Sequence, residues 1–151
     1  MQQFTMDLLE TQRPVIYMPK WHKTNMMLDT GALFPVWTEE EELLKAYGGK
    51  LIKKNIPISG LGGKTVGSLY VLPLFELGKL TFIDLHLIAH RLELACDMLL
   101  PATMFQNLLY EVDNRNHKLN VTIPDDESRI RNLVIKEDNG KVHVLCSSVW
   151  E

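Results

Sequence analysis

The sequence predicts a mostly β fold carrying two short helices, and three features carry that reading. Short apolar runs rich in Val, Ile, Leu, Tyr and Phe recur along the chain, among them 14–19, 50–58, 66–74 and 79–88. Turn residues separate them: the glycines at 60–63, Gly78, the polar stretch 113–116 and Asn139-Gly140. Helix-end signals occur only at 38–49 and from Pro101 onward.

Taken in order, residues 3–9 and 14–19 read as short strands, separated by the polar Glu10-Thr11-Gln12-Arg13. A third strand, Lys23 to Leu28, delivers Asp29 at its end. Thr38 to Gly49 is a short helix, with Thr38 as N-cap and Glu41 three residues later completing a capping box. Leu43, Leu44 and Tyr47 form its apolar face, and Gly48-Gly49 stops it. The glutamates at 39–42 read as a solvated first turn paired with the helix dipole, not as a metal site.

Strand character returns over Leu51 to Ile58, and Val66 to Leu74 leads away again. The glycine-rich residues between them form a hairpin tip. Gly78 marks a turn, Lys79 to Ile88 is a strand, and His90 to Ala95 is another. Pro101 suits a first helical position, and Ala102 to Leu108 fits one or two helical turns. Leu109 to Asp113 and His117 to Ile123 pair across Asp113-Asn114-Arg115-Asn116. After the polar break 124–128, Ile130 to Lys136 and Lys141 to Ser147 form a hairpin, turned by Asn139-Gly140.

At 151 residues the chain reads as one domain, 1–151, and 46% hydrophobic with 23% charged content suits a soluble globular protein. A net charge of −3 gives no basic patch for nucleic acid and disfavours anionic membrane surfaces. No apolar run approaches the ~20 residues of a membrane span, and the first residues lack a signal-peptide pattern. Two cysteines, Cys96 and Cys146, make no disulfide framework, so a reducing cytoplasm is expected.

Two ligand motifs fail on physical grounds. Gly62-Gly63-Lys64-Thr65 lacks the earlier glycine of a phosphate loop, where Ile58 stands, and a strand rather than a helix follows it. His86 and His90 are four apart, but on a strand that spans ~13 Å, too far for one ion. No metal site and no cofactor are expected.

The chemistry concentrates in Met26 to Trp37, where an apolar run meets Asp29-Thr30-Gly31-Ala32 and then turns apolar again. A carboxylate placed there needs partners, because burying it bare costs several kcal/mol. Thr30 can hydrogen-bond locally, and Gly31 lets the backbone turn closely around the acid.

Leu28-Asp29-Thr30-Gly31-Ala32 resembles the hydrophobic-Asp-Thr-Gly-Ala signature of the retropepsin-like aspartic proteases. Two further parts of that pattern follow in order: a glycine-rich flap at Ser59-Gly60-Leu61-Gly62-Gly63, and Leu99-Leu100-Pro101 before a helix and a strand ending in Asp113. Pro101 stands where the family has glycine, which implies an altered local backbone. The resemblance spans about residues 14–123 and leaves the C-terminal hairpin, about 130–147, without a counterpart.

The resemblance implies a closed β-barrel and an aspartic endopeptidase. Its reaction needs two carboxylates sharing one proton, one acting as general base on water and the other donating to the scissile carbonyl. The chain offers one Asp-Thr-Gly, and Asp84, Asp97 and Asp113 lack the following Thr-Gly or Ser-Gly. A homodimer would supply the second Asp29, with Thr30 bracing the two loops and Gly31 allowing their approach. Gly60, Leu61, Gly62 and Gly63 would close over an extended peptide or protein substrate, with Ala32, Leu33 and Ile58 lining its pockets. The same fold could instead serve as a non-catalytic dimerisation or peptide-binding module, with the C-terminal hairpin covering the dimer edge.

Overall fold

The computed structural model describes residues 2–11, 13–29, 31–58, 65–105, 108–123, 135–138 and 141–145. Among them the chain is mostly β. Alternation in the N-terminal stretch explains its first strands. In β1 (Gln2–Asp7) Phe4 and Met6 are buried while Gln3 and Thr5 are exposed, and in β2 (Val15–Met18) only Tyr17 faces out. β3 (Thr24–Asp29) follows a tight turn in which His22 and Lys23 take positive φ.

β3 lies between two partners. β2 pairs with it antiparallel, Val15 against Met27, and β8 (Met98–Pro101) pairs with it parallel, Met26 against Met98 through Asp29 against Pro101. The two-residue β4 (Val36–Trp37) joins β8 to β7 (Leu80–Ala89), pairing antiparallel with the first and parallel with the second. β7 turns back on β6 (Thr65–Leu77) through Gly78-Lys79, and β6 pairs with β5 (Lys50–Ile58). A second sheet holds β1, β10 (Lys118–Ile123) and β9 (Leu109–Asp113) in that order. The pairings among the described residues form open, branched paths, without the closed ring of strands that the resemblance implies.

The core sits between these sheets. Trp37, Tyr70, Phe75, Phe82 and Phe105 are its largest fully buried side chains. Trp21 closes one end by edge-on contacts with Trp37, Tyr47 and Phe75. Cys96 is buried with Val15, Met27, Val36 and Leu99, and burial pushes its thiol up, so it serves packing.

Several sequence expectations change in detail. The helix α1 spans Glu41–Ala46 and its N-cap is Glu40, not Thr38. Thr38 is fully buried instead, its N–H donating to Asp97 O and its Oγ1 to Cys96 O, 2.8 Å away. Glu41, expected in a capping box, accepts from the Tyr70 hydroxyl at 2.8 Å. Gly48 and Gly49 do end the helix, donating back to Lys45 O and Leu44 O.

His90 to Ala95 is not a strand. His90 and Leu92 donate to Trp37 O and Thr38 O, but Leu94 then folds back onto Leu92 O and ends the run. The second expected helix is a single 3-10 turn, Ala102–Phe105. The C-terminal hairpin pairs β11 (Ile135–Asp138) with β12 (Lys141–Leu145), while Asn139-Gly140 lies outside the described residues. β12 also pairs parallel with β7 over Leu80–Ile83.

Candidate active site

Asp29 is the last residue of β3, held between β2 and β8. Leu28 N–H donates to Pro14 O at 2.9 Å, tying the end of β3 to the start of β2. Directly beyond Asp29 the backbone turns. Gly31 N–H donates to Asp29 Oδ1 at 3.0 Å, and Ala32 N–H donates to Asp29 O at 3.1 Å. The carboxylate is thus oriented by its own loop and is half-buried, which leaves its second oxygen for other partners. Leu33, two residues past Gly31, is 76% exposed.

A Cβ placed on Gly31 would meet Asp29 Oδ1 at 3.4 Å, an ordinary contact.

Pro101 stands opposite Asp29 in the register, at the last position of β8. β4 pairs β8 only at Met98 and Leu99, so Pro101 lies past its final rung, where a missing N–H breaks no β4 bond. The proline expected to disturb the backbone is accommodated at a strand end.

A cavity of about 340 Å³ opens beside Asp29, walled by Leu28, Leu100, Phe105, Tyr110 and Val112, with Arg13 at its margin. Phe105 and Tyr110 pack with ring centroids 5.3 Å apart. Sequence reasoning passed over this wall. Tyr110 and Val112 follow from the alternation of β9, but nothing in the sequence says that β9 faces Asp29.

Among the described residues, no second aspartate or glutamate lines the cavity. Asp97 accepts from Asn25 N–H at 2.7 Å and fastens the start of β3, four residues from the site. Asp113 caps the β9–β10 turn, and the Asn116 side chain, then its N–H, hold that carboxyl below the usual range. Asp84 is exposed on β7 at positive φ.

The other sequence-predicted site residues fall in three groups. Gly31 and Ala32 form the turn under Asp29. Thr30 and the flap residues Gly60, Leu61, Gly62 and Gly63 lie outside the described residues. Ile58, expected to line a pocket, is buried with Ile56, Leu69 and Ile88. Phe34 packs against that group and against the Val15–Met27–Val36 cluster, linking the Asp29 loop to the β5–β6 hairpin. It is a linking residue that sequence reasoning missed.

The comparisons with known proteins bear on the chain that carries this loop. The aspartyl protease family profile fits residues 21–109, more than half of the chain, and the chain belongs to that family. Among solved structures, a retropepsin-like aspartic protease from Rickettsia conorii is similar, with a TM-score of 0.51 and 16% sequence identity. The match covers 80% of this chain and 89% of that one, and it shows a shared fold. No curated protein matches the chain significantly by sequence.

Proposed function

We propose that the protein is an aspartic endopeptidase working as a homodimer, with the Asp29 carboxylates of two copies facing each other across the two-fold axis. The observation that carries this reading is the Asp29 loop. A half-buried carboxylate is oriented by Gly31 N–H at the end of β3, next to an open cavity, in a chain of the aspartyl protease family. One carboxylate is not enough for the reaction, and among the described residues no other acid lines that cavity.

In the dimer the two carboxylates share one proton, because like charges so close cannot both ionise. The ionised one takes a proton from water as it attacks the scissile carbonyl, and the protonated one donates to the carbonyl oxygen. Thr30 braces the paired loops, and Gly31 permits their approach. The β5–β6 hairpin carries Gly60, Leu61, Gly62 and Gly63 as a flap that pairs with an extended peptide and excludes water. Ala32 and Leu33 meet substrate side chains.

The test is cleavage of an unstructured protein by the wild type and Asp29→Asn at high enzyme concentration, from mildly acidic to neutral pH. Asparagine keeps the shape and removes the titrating acid. Wild-type cleavage that vanishes in the variant, with folding intact, supports the reading. Equal cleavage by both contradicts it.

A further inference from the structure

The net charge of −3 is unevenly spread. Residues 43–75, which take in β5 and most of β6, hold Lys45, Lys50, Lys53, Lys54 and Lys64 and not one of the chain's 19 acidic side chains. We propose that the lysine-bearing half of β5 docks an extended acidic segment of a polypeptide partner, which on the peptidase reading is the substrate.

Three observations single out this stretch. Lys50 to Asn55 are all exposed, with none of the alternation that β1 and β2 show. β5 is an outer strand, paired with β6 alone among the described residues. Lys50, Lys53 and Lys54 form no ion pair with a described residue, whereas Lys45 is held by Glu42 at 3.2 Å. Their three ammonium groups stem from about 13 Å of strand.

Lysines on an outer strand keep like strands from pairing along it. That protection needs no apolar surface, yet Leu51 and Ile52 among them are 39% and 50% exposed. An extended segment with acids spaced between apolar residues answers both features, its carboxylates meeting the lysines and its apolar side chains covering Leu51 and Ile52. The register with β6 shifts on both sides of Lys53, so the edge carries no regular ladder and recognition falls to side chains.

A nucleic acid suits the stretch less well. Residues 43–75 contain no arginine, the side chain that grips phosphate with two bonds, and Leu51 and Ile52 are aliphatic where bases stack on aromatic rings. The position also favours a role at the site. Four residues past Lys54, Ile58 is buried with Ile88, and Phe34 of the Asp29 loop packs against that group. A segment held on β5 raises the local concentration of its own chain beside Asp29 without touching the reacting atoms.

The test is fluorescence anisotropy of a labelled twelve-residue peptide alternating Glu and Val, at low salt. The protein is the full chain carrying Asp29→Asn, so that the peptide stays uncut. The expected result is binding that weakens about tenfold when Lys53→Glu and Lys54→Glu are added, because two exposed charge pairs are reversed. A Lys-Val peptide shows the opposite preference and binds the K53E/K54E protein more tightly. Loss of fold would not exchange the preference, and thermal melts check it directly.

No binding of the Glu-Val peptide, or equal binding by both proteins, overturns the docking surface. Oligothymidylate or anionic vesicles that bind more tightly and displace the peptide overturn it as well. Asp29-dependent cleavage by the wild type without peptide docking overturns the docking alone and leaves the enzyme reading standing. The predicted exchange of preference without Asp29-dependent cleavage upholds the docking and overturns the enzyme reading.

Discussion

At the scale of single residues, Thr38 shows how much a polar side chain can hold together from inside. Its hydroxyl donates to Cys96 O, and its N–H to Asp97 O, where β4, β8 and the run into α1 meet. Thr38→Val keeps the volume and strips the donor, leaving a buried carbonyl unmatched. The expected cost is about 1–3 kcal/mol in urea unfolding, with Thr38→Ser losing less. Tyr70 gives a pH-dependent counterpart. Burial first, then its bond to Glu41, push the hydroxyl above its ordinary value of 10.0. The folded state therefore holds this proton more tightly than the unfolded chain does. The stability it gives is complete below pH 10 and is lost as pH climbs above that value. Unfolding curves should show this alkaline loss in the wild type and a shallower one in Tyr70→Phe.

At the scale of elements, the β5–β6 hairpin is packed against β7 through a position with no room for a side chain. A Cβ on Gly67 would lie 2.6 Å from Ile58 Cδ1, 2.7 Å from Ile88 Cγ2 and 3.0 Å from Ala89 O. The carbonyl belongs to the β6–β7 ladder and cannot swing away as a side chain can. Gly67→Ala should destabilise by about 1–3 kcal/mol, measured by thermal or urea melts. Elements that rest on local pattern were legible in the sequence. β2, β3, β7 and the β9–β10 hairpin fall where alternation and turn residues put them. Elements decided by distant contacts were not. Thr38 has the chemistry of an N-cap, but a carbonyl 58 residues away claims its hydroxyl. Asp29 stood out because an acid, a hydroxyl and a glycine interrupt an apolar run. Phe34, Phe105 and Tyr110 did not, because an apolar residue lining a cavity looks in sequence like any core residue.

For the molecule as a whole, the family and the fold are established by the sequence profile and by the likeness to a solved retropepsin-like protease. On the proposed reading the single chain supplies half of a catalytic centre: one oriented carboxylate beside a cavity that no other acid lines among the described residues. The chemistry needs two, so the central claim is that the site is shared between copies. Subunit mixing tests it most directly. Wild-type protein is held at fixed concentration, Asp29→Asn is added in increasing excess, and cleavage is followed after subunits have exchanged. A shared site predicts that the inactive variant poisons the wild type, with activity falling to about a tenth at tenfold excess as mixed dimers take up the active chains. Wild-type activity undiminished by the variant would place both catalytic groups within one chain and contradict the account.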